Sequence, residues 1–228
     1  SKVFHAEKTA GKPQPITAGL ATAVDVRTNK RWVFFGTGSY MTAADGSDKS
    51  ANAQSMYGVI DDGSAYTRAN LTQRTITKDP GTEQRYFGDF PSLAPSPKDK
   101  GWYVDLPEDG ERIVQNAQID GSFLVTASMM PSGDSCADAG GSGYINAITP
   151  FPGIASGRSY FDLDGSGGTD DTGTSGKPTG SVKTNGMPTL PVLLPGQAIL
   201  NLSSGATQKM KKGQALWTRV SWREIRSD

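Results

Sequence analysis

Apolar and polar residues alternate with a period of two along most of this chain. LATAVDV (20–26) and RWVFF (31–35) predict two strands joined by the turn 27–30. SMYGVI (55–60) predicts another, stopped by Asp61, Asp62 and Gly63, and residues 71–76 predict one before the breaker Asp79-Pro80-Gly81. Further strands are expected over 101–106, 112–114, 117–119 and 123–129. Asp120-Gly121 between the last two is a hairpin signal, because tight β-turns need residues that tolerate positive φ. Residues 144–148, 192–194, 197–202 and 216–225 bring the total to about eleven or twelve strands. In the last of these, Leu216, Thr218, Val220 and Trp222 share one face, and Arg219, Ser221 and Arg223 share the other. One short helix is expected, over 42–53, and no long amphipathic one. The pattern is that of an all-β fold of mostly antiparallel sheets.

An aromatic–glycine step recurs in WVFFGTGSY (32–40) and SMYGVIDDG (55–63), as apolar strands entering tight glycine turns do in propeller blades. About twelve strands at about four per blade make about three blades, too few to close a ring. The expectation is therefore a partial β-propeller forming one unit over residues 1–228. The Asp/Gly-rich tract at about 162–186 is expected to be an insertion within it. Glycine (28) and proline (14) make up roughly a fifth of the 228 residues, which suits a chain cut into short strands by turns. A hydrophobic content of 35% fits sheets with a wet face better than a helical bundle.

Charge and composition narrow the partners. Lys and Arg together number 23, as do Asp and Glu, so the net charge is zero and no basic face for nucleic acid is expected. The densest basic group, Lys209, Lys211 and Lys212, reads as a solvated turn. The longest apolar runs, LPVLLP (190–195) and WVFF (32–35), are too short to span a bilayer, so direct membrane insertion is not expected. His5 is the single histidine and Cys136 the single cysteine. A zinc site of His and Cys is excluded on count, and any Ser-His-Asp mechanism would have to run through His5. Cys136 is either a buried thiol or the partner of a cysteine outside this chain. The adjacent acids Asp61/Asp62 and Glu108/Asp109 read as solvated turn residues rather than an acid–base pair.

Several stretches together resemble the C-terminal β-propeller domain of the type IV pilus biogenesis and pilus-tip adhesin family. They are RWVFFGTGSYMTAADGSDKSANAQSMYGVIDDG (31–63), KGWYVDLPEDGERIVQNAQIDGSFLVTASMMPSGDSC (100–136), YFDLDGSG (160–167), GMPTLPVLLPG (186–196) and RVSWREI (219–225). The resemblance implies a non-enzymatic binding platform at the tip of a pilus, outside the cell and reached through the periplasm and outer membrane. Its partners would be minor pilins of the tip complex and a host or abiotic surface, and its roles pilus biogenesis, twitching motility and attachment. Two other readings compete. A quinoprotein-like propeller enzyme shares aromatic–glycine blade turns but needs convergent cofactor ligands, and a carbohydrate-binding propeller needs exposed aromatic rings.

One loop carries candidate chemistry. In YFDLDGSGGTDDTG (160–173), Asp162, Asp164, Ser166, Gly168 and Asp170 fall at positions 1, 3, 5, 7 and 9. Calcium takes about six to eight oxygens, and alternate residues of a curled loop supply them, with a backbone carbonyl at the seventh position and a glycine, here Gly167, at the sixth. Gly173 stands where a bidentate Glu would complete such a loop, leaving Asp171 or a more distant carboxylate to fill the gap. The loop reads either as a weak calcium site, with Kd on the order of 10⁻⁴–10⁻³ M, or as a solvated acidic turn without an ion.

Overall fold

Short alternating runs become strands in the computed structural model, which describes residues 3–9, 11–47, 54–88, 100–132, 140–151 and 157–213. In chain order the strands are β1 (Glu7–Thr9), β2 (Lys12–Pro13), β3 (Ala21–Asp25), β4 (Lys30–Gly36), β5 (Ser55–Ile60), β6 (Thr72–Arg74), β7 (Ile76–Lys78) and β8 (Arg85–Phe87). They continue as β9 (Gly101–Asp105), β10 (Gln118–Asp120), β11 (Phe123–Pro131), β12 (Gly141–Ile148), β13 (Ser181–Thr184), β14 (Val192–Leu194), β15 (Gln197–Asn201) and β16 (Thr207–Lys211). The helix expected over 42–53 is α1 (Ala43–Ser47), and residues 48–53 lie outside the described ones.

Three larger sheets result, ordered β3-β4-β5-β9-β6, β10-β11-β12-β13-β8-β7 and β14-β15-β16, while β1 and β2 pair apart. Neighbours run antiparallel except β6, which lies parallel to β9. The expected all-β, mostly antiparallel architecture is what forms, and no sheet closes into a barrel among the described residues.

The period-two pattern decides how the sheets stack. Trp32 and Phe34 of β4, Met56 of β5, and Trp102 and Val104 of β9 face Leu124 of β11 and Ile148 of β12, joining the first sheet to the middle one. One step along β11 the side chain changes faces. Val125 and Ala127, with Ile145 and Ala147 of β12, pack instead on Tyr160, Phe161, Leu200 of β15 and Met210 of β16, joining the middle sheet to the third. On the outer face of the first sheet, Phe35, Tyr57 and Val59 cover Ala6 and Leu71. The middle sheet thus packs on both faces, with an apolar cluster on each.

Turn chemistry sets register where the sequence pattern alone would let strands slip. Between β3 and β4 the Asp25 carboxylate accepts from the Arg27 amide (3.1 Å) and the Thr28 hydroxyl (3.0 Å), and Asn29 adopts φ 54°. The resulting register places Ala21 opposite Phe34 and Asp25 opposite Lys30.

Several expectations are corrected. The single strand over 71–76 is two, β6 in the first sheet and β7 in the middle one, so the chain crosses between sheets at Thr75. Residues 112–114 form only the bridge Arg112–Met129, because Ile113 is drawn into the core instead of a ladder. The aromatic–glycine repeat is not a blade repeat. Its two copies are the adjacent strands β4 and β5, in which Phe34 sits opposite Gly58. The strand expected over 216–225 lies outside the described residues, as do Trp217, Trp222, Arg219 and Arg223.

Candidate metal centre

The acidic loop leaves the third sheet's side of the core and returns to it. Phe161 is fully buried and bridges to Lys212, and the Asp162 amide donates to the Lys211 carbonyl (3.1 Å). At the other end the Ser159 amide donates to the Thr169 carbonyl (2.7 Å), closing the loop at its neck. Gly165 and Gly167 take φ 80° and 82°, a region costly for other residues, so the two glycines let the chain curl.

Within the curl the aspartates organise the backbone. Asp162, buried at the base, accepts from the Gly165 amide (2.7 Å) with one oxygen and from the Gly167 amide (3.1 Å) with the other. Asp164 accepts from the Ser166 amide (2.8 Å), and that amide and the Ser166 side chain hold its carboxyl below the usual carboxylate range. Ser166 Oγ accepts from the Gly168 amide (3.1 Å).

Asp162, Asp164 and Asp171 each offer a carboxylate oxygen, and the three lie within 4.8 Å of one another. Asp171 also accepts from the Leu163 amide (3.1 Å), which ties the far end of the loop to its start. Asp170 is exposed and stands outside this group, and the Gly168 carbonyl lies against Gly213. Three carboxylates at that separation are a hard, oxygen-only donor set, which suits calcium better than a softer metal.

The glycine at the twelfth position has a structural cause. A Cβ on Gly173 would lie 1.7 Å from Asp79 Oδ2, so the carboxylate of a distant residue occupies that space. Asp79 accepts from the Thr174 amide (2.6 Å) and the Ser175 amide (2.9 Å), and these bonds hold its pKa down. Asp79 clamps residues 174 and 175 to the β7–β8 turn. No local pattern announces this pairing, because the partners are 95 and 96 residues apart.

The other candidates resolve into packing. His5 lies 3.2 Å from Glu7. Glu108 and Glu111 both hold the buried Arg85. Asp62 accepts from the Tyr66 hydroxyl, and Asp61 faces Arg31. Trp32 and Trp102 are buried and offer no ring to a sugar. Cys136 lies outside the described residues. The expected solvated lysine turn is corrected: Lys209 and Lys211 belong to β16, and Lys212 is nearly buried and pairs with Asp120.

Comparisons with known proteins agree with this architecture. Residues 1–85 match the family model of the PilY1 beta-propeller domain. Over 224 residues the chain is 32% identical to a type IV pilus biogenesis factor PilY1 homolog from Xylella fastidiosa, covering 94% of the chain and 18% of that protein. It is 27% identical over 185 residues to the type IV pilus biogenesis factor PilY1 of Pseudomonas aeruginosa, covering 71% of the chain and 16% of that protein. The crystal structure of the Pseudomonas aeruginosa PilY1 C-terminal domain superposes with a TM-score of 0.68 at 22% identity, over 92% of the chain and 47% of that structure. The chain therefore spans less than a fifth of the length of these curated relatives.

Proposed function

Because the chain belongs to the PilY1 β-propeller family, we propose that it acts in type IV pilus biogenesis as a rigid, non-catalytic platform that docks minor pilins at the pilus tip, on the bacterial surface. The observation that carries this reading is 32% identity across 94% of the chain to a type IV pilus biogenesis factor. Stacked sheets with apolar layers between them move little, which favours holding a partner over closing on a substrate. Twitching motility and attachment to surfaces follow from the same role.

Strand addition is the docking mode the sheet edges favour. β3 is the outer strand of its sheet, with Val24 on it 47% exposed and Leu20 and Val26 at its two ends 57% and 89% exposed. An edge with free backbone groups and aliphatic side chains accepts an extended partner strand. Immobilised chain is expected to retain purified minor pilins at micromolar concentration, and Val24→Lys is expected to weaken retention about tenfold without changing Tm, since a lysine guards an edge. No retention by the parent chain sinks the platform reading, and unchanged retention by Val24→Lys sinks this edge.

The acidic loop holds calcium weakly through Asp162, Asp164 and Asp171, a reading supported by the convergence of those three carboxylates. With Kd on the order of 10⁻⁴–10⁻³ M, 10 mM calcium chloride stabilises the chain by roughly 1–3 kcal/mol, a rise in Tm of about 3–10 °C by scanning fluorimetry. Asp162→Asn and Asp171→Asn are expected to remove the rise, and Asp170→Asn to leave it intact. A parent chain that melts at the same temperature with and without calcium ends this reading.

A further inference from the structure

We infer that the cleft between the middle and third sheets binds an acidic peptide segment of a partner protein, taking a carboxylate at Arg158 and an apolar side chain against the adjoining wall. The cleft has a volume of about 370 Å³ and opens between the β10–β11 turn, the β14–β15 turn and the neck of the acidic loop. That volume lies within the range of about 300–1,000 Å³ typical of ligand sites and is larger than packing defects leave.

Its walls are chemically divided. Phe123 and Tyr160 meet edge to face at 5.4 Å on one side, and Leu193, Leu194 and Pro195 form the other, so the lining suits an aromatic or branched aliphatic side chain. The Tyr160 hydroxyl donates to Asp120 (2.7 Å), and Lys212, whose side chain is only 10% exposed, pairs with the same carboxylate. Asp120 thereby has its charge matched by Lys212. Arg158, also lining the cleft, is exposed and makes no ion pair among the described residues. Two cations against one carboxylate leave one positive charge, that of the exposed Arg158, beside the apolar wall of the cleft. A guanidinium fork matches a carboxylate bidentately, and a ligand joining that group to an apolar neighbour meets both halves of the cleft. An acidic residue beside an apolar one in an extended peptide has that chemistry.

The site stands on a different sheet from the β3 edge, so its failure and the failure of pilin docking there are separable. The test is amide NMR of the whole chain with two capped tetrapeptides, GFEG and GFQG. Saturable shifts of the Gly121, Gly196 and Gly213 amides are expected with GFEG. Binding is expected to weaken at least about tenfold with GFQG and in Arg158→Gln, an exposed substitution that leaves the fold intact, because a charge-assisted pair is lost. Equal binding of the two peptides, shifts confined to other residues, or no shift at millimolar peptide would overturn the assignment. So would shifts of these glycines that grow with protein concentration alone, since a second copy of the chain would then be the occupant.

Discussion

Replacing Glu111 with alanine lowers the unfolding free energy by about 3–5 kcal/mol, as when one partner of a buried ion pair is removed and the other is stranded. Arg85 is fully buried on β8 and donates to Glu111 at 2.9 Å, and the Glu111 side chain is equally buried. Ser128 of β11 donates to the same Glu111 oxygen at 2.6 Å and accepts from Asn146 of β12, which in turn accepts from Ser181 of β13. The guanidinium carbon also sits 3.3 Å from the centre of the Tyr144 ring. This polar chain crosses four neighbouring strands of the middle sheet, so losing the carboxylate removes the acceptor of both Arg85 Nη1 and Ser128 and leaves Arg85 with the half-exposed Glu108 alone. Glu108, the second partner, is 42% exposed, and its removal is expected to cost under about 1 kcal/mol. Urea titration followed by tryptophan fluorescence distinguishes the two. The double variant Arg85→Met/Glu111→Leu is expected to recover most of the loss, because an apolar pair of similar volume needs no compensation. A Glu111→Ala variant within about 1 kcal/mol of the parent would show that Glu108 alone suffices as the counter-charge of Arg85.

Alternation made the central strands legible. β4, β5, β9, β11 and β12 each place apolar residues at every second position and were foreseen within a residue or a few. What alternation did not reveal were strands without that contrast. β8 (RYF), β13 (SVKT) and β16 (TQKMK) carry polar or charged residues on one or both faces. Arg85 and Ser181 are polar, and they are buried because Arg85 donates to Glu111 and Ser181 to Asn146. The sequence likewise cannot show that Thr75 is a crossing point, since residues 71–76 read as one run. Sheet membership is set by partners dozens of residues away.

The acidic loop was legible to the same degree and for the same reason. Its glycines and aspartates carry local turn chemistry, and the curl they predict is present, with Asp162 and Asp164 accepting from amides two to five residues ahead. Selection between Asp170 and Asp171 is different in kind. Asp171 is drawn inward by the Leu163 amide and by its own carbonyl, which accepts from Thr179 (3.2 Å) on the returning chain. That return is a tertiary event. The cleft next to the loop has no sequence signature at all, being built from two turns, a neck and a lysine that looked like surface.

Trp102→Ala is expected to destabilise the chain by about 3–5 kcal/mol, and its partner Gly58 supplies the test of why. In the register of β5 and β9 the two residues are directly opposite, and the indole lies across the glycine. A Cβ on Gly58 would come within 2.5 Å of the indole ring, so a side chain there displaces the tryptophan. The ring is fully buried, its N–H donates to the Pro150 carbonyl at 2.8 Å, and it lies 6.2 Å from Phe34. It joins the first sheet to the loop after β12, in the middle sheet. Gly58→Ala alone is expected to cost about 1–3 kcal/mol through overpacking. If the indole is the cause, the same substitution costs little once Trp102 is leucine, a variant that keeps an apolar side chain and enough stability to measure. The cycle of Gly58→Ala, Trp102→Leu and the double variant, read by urea unfolding, is expected to show at least about 1 kcal/mol of coupling. Equal costs of Gly58→Ala in both backgrounds would place the requirement for glycine in the backbone of β5 and not under the ring. The stack of sheets would then owe its spacing there to strand geometry and not to Trp102.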